Sequence, residues 1–486
     1  MSFVTVLKGI TSDPFMGYDL TFLVIFAVFV SVFLYTRREN LKREGLLFLY
    51  RAGWGIKLIN KVGKKYQKTL NVLSYISIAT GYILMISMFY FLGRIIYLYA
   101  AFPAIVREIK IPPITPLVPY LPQVFQLDFL PPFYFTYWII IIAIIAISHE
   151  FAHGIFAAYD KIKIKSTGFG FFPFFLPIFL AAFVELDEKR MAKKKIKSQL
   201  AILSAGTFAN VLTSILFFGV LIAFFSLLFS PAGIIFDTYP YSSIEISGIT
   251  MINGISLVSP SYENTLSLMN ETGFNKIKAG NDYLITKQNF QEQAGEKIRV
   301  YYDAPAINAG LGRVITSING KKITEVDSVE EELSEFSPGD KITLMSINNE
   351  GVDYSQEIIL GKHPLDKNKA WLGIGFSQQK PEGAFGKIYS FLSSFKKTNV
   401  YYQPKFDGMS IFIYNLLWWL VLIGITVALL NMLPVGIFDG GRFFYLTILL
   451  LTKSKEKAKK FFSFSTYFIL FLFFMLMIFW GISVFR

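Results

Sequence analysis

The sequence predicts a polytopic α-helical membrane protein of about six transmembrane helices, with an α+β region inserted between the fourth and the fifth helix. Three observations predict this class. Of the 486 residues, 53% are hydrophobic and 17% are aromatic. Six apolar stretches are long enough to cross the hydrocarbon core, which takes roughly 20 residues. Over residues 231–408 the pattern changes to turn signals and short alternating strands, as in a soluble domain.

The six apolar stretches define the predicted organisation of the chain. They cover residues 17–36, 72–100, 132–158, 199–229, 409–432 and 461–484. No basic leader precedes the first stretch and no small-residue cleavage site follows it, so we expect a retained anchor rather than a signal peptide. The predicted segments are 1–131 with two helices and a basic loop, 132–230 and 409–452 as two parts of a membrane core, 231–408 as the insert, and 453–486 with the last helix.

Positive charge is concentrated in three loops. Residues 37–68, 159–198 and 453–460 hold ten, nine and five Lys/Arg, and together they carry more net positive charge than the whole chain, which has +13. All three loops fall on one side of a six-helix weave, as the positive-inside rule predicts for cytoplasmic loops. We therefore expect a multi-pass protein of the cell membrane with the insert on the extracytoplasmic side. The basic charge indicates topology and contact with the lipid bilayer, not a nucleic-acid partner.

The second half of the insert resembles a PDZ domain. From Ala304 a small-residue turn leads into VITSING, then a helix candidate, then SPGDKITL. Residues 249–254, ITMING, echo ITSING at 315–320. We predict a PDZ-like region with two copies, at 236–300 and 301–362; two similar hairpins by coincidence are the alternative. A PDZ domain would bind a peptide C-terminus as an added strand.

Residues 139–160, IIIIAIIAISHEFAHGIFAAYD, place ionisable side chains inside an apolar stretch. His149, Glu150 and His153 form an H-E-x-x-H motif, whose histidines stack on one helix face and can both reach one zinc ion, with the glutamate placed to act on water. The chain has no cysteine, so any metal needs His, Asp or Glu ligands. A packed histidine pair is the alternative, which the cost of polar groups in a membrane disfavours.

A third ligand is predicted at Asp439. The fifth stretch runs into NMLPVGIFDGGR, where a proline and glycines break the helix and can turn a carboxylate inward. His363 follows the PDZ-like region on the other side of the membrane and is a poor candidate. His149 lies about 18 Å along its helix from Lys161. The site is therefore expected within the membrane, towards the cytoplasmic side.

These motifs together resemble the site-2 protease family of intramembrane zinc metalloproteases. H-E-x-x-H in one helix is followed by N-x-x-P-x-x-x-x-D-G at 431–440 in a later one, with a PDZ-bearing insert between them. The G-x-x-x-N element of the family is matched by Gly206 and Asn210, although Thr207 stands where many members have proline. The end of its membrane-embedded loop resembles AAFVELDE at 181–188, within a Pro-interrupted segment, 168–188, that suits a strand-like insertion.

The resemblance implies a zinc endopeptidase that cuts single-span membrane protein substrates in regulated intramembrane proteolysis. It implies one Zn²⁺ per chain on His149, His153 and Asp439, with Glu150 as the general base. Asn210 and Asn431 would position the substrate; hydrogen bonding between helices is their alternative role. Two other functions stay open. One is a prenyl-protein-processing type of membrane metalloprotease, which takes a glutamate as third ligand, and the other is a non-catalytic PDZ-bearing membrane scaffold with a structural metal site.

Overall fold

The computed structural model describes residues 14–44, 47–102, 106–107, 112–113, 117–125, 127, 130–171, 180–293, 295–348, 351–376, 390–391 and 393–485. The chain forms two compact units. The first comprises residues 1–224 and 411–486, and the second comprises residues 225–410.

The helices of the described residues are numbered α1 to α14 in chain order. They are α1 Pro14–Thr36, α2 Ile56–Lys65, α3 Gln67–Ala101, α4 Leu121–Val124, α5 Phe135–Tyr159, α6 Glu188–Ala192, α7 Ile196–Leu228, α8 Tyr262–Ser267, α9 Lys287–Gln291, α10 Pro305–Asn308, α11 Val326–Leu333, α12 Asp407–Asn431, α13 Asp439–Thr452 and α14 Lys455–Phe485. In the part of the chain that the structure describes, six of them are long and apolar enough to cross a membrane: α1, α3, α5, α7, α12 and α14. They coincide with the six predicted stretches.

The strands are likewise numbered in chain order. They are β1 Leu41–Glu44, β2 Leu47–Arg51, β3 Ile164–Phe171, β4 Leu180–Leu186, β5 Phe229–Ile235, β6 Tyr241–Glu245, β7 Met251–Ile252, β8 Ile255–Ser256, β9 Phe274–Ala279, β10 Asn281–Thr286, β11 Lys297–Tyr302, β12 Val314–Ile318, β13 Lys321–Lys322, β14 Lys341–Ile347, β15 Asp353–Ile359, β16 Gly361–Lys362, β17 Ala370–Trp371 and β18 Val400–Pro404.

In the first unit, the main helical core is formed by α3, α5 and α7 together with α12 and α13, the helices on either side of the non-helical segment 432–438. Its buried side chains include Phe156, Ile202, Met432 and Phe443. A small-residue contact brings α3 close to α7, because the buried hydroxyls of Ser77 and Ser204 are 2.7 Å apart. A second cluster packs the aromatic start of α5 against α12. These packed helices provide a rigid frame for polar side chains buried between them.

A four-stranded antiparallel sheet completes the first unit, in the order β1-β2-β3-β4. The strand-like insertion predicted at 168–188 corresponds to parts of β3 and β4, and residues 172–179 lie outside the described residues. The sequence did not predict that β2, from the loop after α1, pairs with β3, from the loop after α5. In this sheet β4 forms one edge.

The second unit contains two larger sheets. One has the order β6-β11-β10-β9-β7-β8, and the other has the order β15-β14-β12-β5-β18 with β13 paired to β12. Strand β5 pairs with β12 in the sheet that contains β14 and β15. The residues that form the other sheet, β6 to β11, are therefore inserted in the chain between β5 and β12. A polytopic helical protein with β-sheet regions is thus confirmed. The PDZ-like nature of the sheets and their extracytoplasmic side stay predictions.

Candidate functional site

Three predicted ligands meet between α5 and α13. The histidines lie four residues apart on one face of α5, and both are buried. His149 Nε2 and His153 Nε2 are 3.0 Å apart, and Asp439 Oδ2 lies 3.2 Å from the first and 3.3 Å from the second. This cluster could hold a metal ion. His363, which the sequence disfavoured, lies in the second unit and is not part of it.

Asp439 reaches the cluster because the helix is interrupted between α12 and α13, where the backbone folds back against itself. A Cβ atom at Gly440 would lie 2.6 Å from the Leu433 carbonyl oxygen, and one at Gly441 would lie 2.7 Å from the Val435 carbonyl carbon. Only glycine permits the first turn of α13 to approach the backbone of the break this closely. The two glycines therefore allow Asp439, the first residue of α13, to bring its carboxylate next to the histidines.

The second nitrogen of each histidine is also held. His153 Nδ1 lies 2.6 Å from the Ile202 carbonyl oxygen. Since a carbonyl can only accept, Nδ1 carries the proton and Nε2 presents its lone pair to the cluster. His149 Nδ1 lies 3.1 Å from Asn210 Nδ2, in a side chain that is fully buried. If the Asn210 amide is rotated by 180°, its oxygen accepts a hydrogen bond from a protonated Nδ1 of His149. Nε2 of His149 then carries no proton and can bind a metal.

An open space beside the cluster depends on Gly206. A Cβ atom built on this residue of α7 would lie 2.6 Å from both Cε1 and Nε2 of His149, and closer still to His153 Nε2. A side chain there would thus occupy the space that the two ring nitrogens face. The glycine of the G-x-x-x-N element keeps this space open, and Asn210, one helical turn later, reaches His149.

Glu150 lies beside the cluster and contacts the edge of the four-stranded sheet. Its Oε2 accepts a hydrogen bond of 2.9 Å from the backbone N–H of Val184 in β4. Glu150, Ala182 and Asn431 line a cavity of about 440 Å³ together with the cluster residues His149 and Asp439. Its other walls are mostly aliphatic, formed by Leu117, Ile142, Ile145, Ala146, Ile423, Val427, Ile437 and Phe438, together with Asn210.

An ion cluster holds β4 to its neighbours. Glu185 accepts a 2.7 Å hydrogen bond from Ser166 Oγ and pairs with Arg51 at 3.0 Å and Lys165 at 3.5 Å. The hydrogen bond from Ser166, together with the two cations, holds the pKa of Glu185 below its usual range. Glu185 is therefore ionised at neutral pH, and it links β2, β3 and β4 next to the residue that contacts Glu150.

The structure thus brings five of the six predicted site residues to one cavity and His153 to the ligand cluster beside it, but it places the two asparagines differently. Asn210 contacts a ligand, whereas Asn431 lies in the cavity wall at the end of α12. The sequence indicated segment 168–188 as a strand that could receive the substrate, but it did not single out the backbone of Ala182 and Val184, because no side-chain type marks these groups. Sequence reasoning also missed Asp19, a carboxylate in an apolar helix, whose position alone was a usable signal.

A cavity among membrane-type helices, with a glutamate beside a cluster able to hold a metal ion, is the arrangement of a membrane metalloprotease. The model of peptidase family M50 matches residues 137–476, so the chain belongs to that family, the site-2 protease family. An uncharacterised protein of Methanocaldococcus jannaschii is 34% identical over 197 residues, which are 39% of this chain and 48% of the relative. The chain spans about half the length of that relative. Family and helices together indicate a multi-pass membrane protein.

Proposed function

We propose that the protein is an intramembrane zinc metalloendopeptidase that cleaves the transmembrane segments of single-span membrane proteins. The observation that carries this proposal is the convergence of His149, His153 and Asp439 next to the cavity that Glu150 lines. Zinc ligands at about 2.0–2.1 Å in a tetrahedral arrangement lie about 3.3 Å apart. The separations of 3.0, 3.2 and 3.3 Å therefore fit zinc. When bound, zinc supplies Lewis-acid activation of water and of the scissile carbonyl.

Glu150 is the general base in this proposal. Its Oε2 is held by the Val184 N–H, so the carboxylate keeps a defined orientation. Its Oε1 is then the atom that takes a proton from water and delivers it to the leaving amine. The surrounding walls are mostly aliphatic, and this apolar environment strengthens the electrostatic interactions inside the cavity.

Strand β4 is the proposed receiver of the unwound substrate. A transmembrane helix hides its peptide bonds in intrahelical hydrogen bonds, so a substrate must become extended before it is cut. Backbone groups alternate in direction along an antiparallel strand, so the N–H of Ala182 faces the same side as that of Val184, away from β3. Ala182 lines the cavity. A substrate strand added there would run beside Glu150.

The location and partners belong to the same proposal. The basic loops would lie in the cytoplasm, in contact with the lipid bilayer, and the second unit would lie outside the cell. In the second unit, the PDZ-like region would hold the C-terminus of a substrate trimmed outside the membrane, by strand addition. These assignments rest on the charge pattern and on the resemblance of residues 301–362 to PDZ domains.

The decisive experiment measures cleavage and bound zinc together. Purified full-length protein in lipid nanodiscs is given a panel of single-span test substrates, and zinc is counted by mass spectrometry. We expect Glu150→Gln to abolish cleavage and keep zinc, and Asp439→Ala to lose both. Glu456→Gln, a matched change at an exposed residue of α14, should behave as wild type.

Three other outcomes would contradict parts of the proposal. Zinc without cleavage of any substrate would favour a scaffold with a structural metal, and zinc retained in Asp439→Ala would exclude this third ligand. Strand addition is tested by Ala182→Pro, which removes an N–H that faces the cavity and leaves the ladder to β3 intact. Unchanged cleavage by this variant would exclude pairing at Ala182.

A further inference from the structure

A second cleft lies at the end of α5, away from the metal cluster. Its volume is about 610 Å³, and no residue that lines it also lines the cavity of Glu150. Its polar lining comes from α2, the first residue of α3, the turn after α5, and α6. These residues are Asn60, Lys64, Gln67, Lys161, Lys163 and Arg190. Four of these six side chains are cations.

Close helix packing fixes the walls of this cleft. A Cβ atom at Gly63 would lie 2.7 Å from Ala158 Cβ, and one at Gly154 would lie 3.0 Å from Ile59 Cγ2. Helix α2 therefore lies directly against α5, and Ile59 is fully buried between them. Lys64 lies one turn from Asn60 on the same face of α2, so this packing directs both towards the cleft.

The positive charge of the cleft is only partly neutralised by the described residues, because one of its four cations, Arg190, is paired. No carboxylate lines it, and Lys64, Lys161 and Lys163 form no ion pair in the part of the chain that the structure describes. Asp160 accepts a 2.9 Å hydrogen bond from Ser198, and Asp187 pairs at 3.2 Å with Arg190, so neither forms an ion pair with the three lysines. Three unpaired cations around one concave surface favour an anion.

Lys161 is held in a backbone conformation that glycine would adopt at lower cost. It follows the C-cap of α5 with a φ of +60°, and its N–H donates to the Ala158 carbonyl at 3.1 Å. This position normally favours glycine or asparagine. Here it carries a cation that offsets the partial negative charge of the helix end, so an anion in the cleft meets an ammonium group instead of bare carbonyls.

We propose that this cleft, named here the basic cleft, binds a phosphate group at the membrane surface. Membrane-type helix α5 ends and α3 begins at the cleft, at Tyr159 and Gln67, so its level is that of lipid headgroups. A volume of about 610 Å³ accommodates a glycerophosphate headgroup. A phosphate on a lipid and a phosphate on a soluble metabolite share this chemistry, and the experiment separates them.

The experiment titrates the purified full-length protein by calorimetry with three probes. They are dioctanoyl phosphatidic acid, zwitterionic dioctanoyl phosphatidylcholine, and soluble glycerol 3-phosphate. The test variant is Lys64→Gln/Lys161→Gln/Lys163→Gln. The control is Lys57→Gln/Lys61→Gln/Lys193→Gln, which removes the same charge from exposed residues that do not line the cleft. A further variant, Lys161→Gly, relieves the backbone strain, so a loss of binding there cannot be attributed to misfolding.

We expect saturable binding of phosphatidic acid and none of phosphatidylcholine. The test variant should bind at least about tenfold more weakly, the control within about twofold of wild type, and Lys161→Gly more weakly with an unchanged or higher Tm. Glycerol 3-phosphate binding as tightly as the lipid would support a soluble phosphate as the ligand. An equal loss in both triple variants, or no saturable phosphate binding by wild type, would overturn the proposal.

Discussion

The two halves of the candidate metal centre are built in different ways. His149 and His153 come from one continuous helix, where a spacing of four residues places them on the same face. Asp439 follows the interruption between helices α12 and α13, and its position depends on glycines that pack against backbone atoms. Local helix geometry therefore supplies two ligands, and tertiary close approach supplies the third. Two kinds of variant can therefore be compared. One kind fills the space of the metal ion, and the other displaces a single ligand.

Among variants that keep all three ligand residues, the largest loss of metal is expected from Gly206→Ala. The new methyl group would lie 2.6 Å from His149 Nε2, in the space that the ligand atoms face. We expect zinc affinity to fall more than about 100-fold, beyond the usual effect of losing an outer partner of a ligand. Gly219→Ala in the same helix is the control, because a Cβ there meets nothing within 4 Å. Equal zinc content in the two variants would show that Gly206 does not border the metal.

The second prediction concerns the half that depends on close approach. Gly440→Ala forces α13 away from the Leu433 carbonyl, since overpacking of this kind costs about 1–3 kcal/mol. We expect a lower Tm and zinc affinity reduced about 100-fold or less, because the histidine pair remains. Gly436→Ala is the control, because the nearest atom to its new Cβ is Phe462 Cζ at 3.4 Å, an ordinary contact. This variant should keep the wild-type Tm and zinc affinity. Zinc and Tm unchanged in Gly440→Ala would contradict the packing argument.

Much of this organisation could be predicted because its signals are local. Six apolar stretches are visible in any window, and H-E-x-x-H specifies its own geometry once it lies on a helix. Asp439 could be proposed because Pro434 and the glycines mark a broken helix. What could not be predicted are pairings between distant segments. Nothing in LFLYR at 47–51 specifies pairing with residues 168–171, since strand register is decided by the partner surface.

The third prediction separates the two asparagines, which the sequence treated alike. Asn210 contacts His149, so Asn210→Ala should reduce zinc affinity about 10–100-fold, as expected for an outer partner of a ligand. Asn431 lines the cavity, so Asn431→Ala should leave zinc content unchanged and lower cleavage instead. Zinc titration followed by cleavage assays at saturating zinc distinguishes the two. If both variants keep wild-type zinc affinity, Asn210 serves the substrate or the helix packing and not the ligand.

The smallest effect on the metal is expected at Asp19, far from the cluster. This carboxylate of α1 is buried and caps the start of α5, accepting from the backbone N–H of Phe135 at 2.7 Å and of Thr136 at 2.9 Å. It also accepts from the hydroxyl of Tyr120 at 2.6 Å. His149 lies about 20 Å further along α5 at 1.5 Å per residue. Asp19→Ala removes the cap and leaves α5 itself continuous.

We expect this variant to lose about 2 kcal/mol of stability, which is the upper range for a helix cap and typical of hydrogen bonds to a charged group. Zinc affinity should stay within about twofold of wild type, because the histidine pair depends on the spacing within α5 and not on its first turn. Thr21→Val, which removes one exposed hydroxyl in α1, is the control. A large loss of zinc in Asp19→Ala at a temperature where the protein remains folded would show that the position of α5 relative to α13 is set at its start, and the histidine half would then depend on tertiary packing as much as Asp439 does.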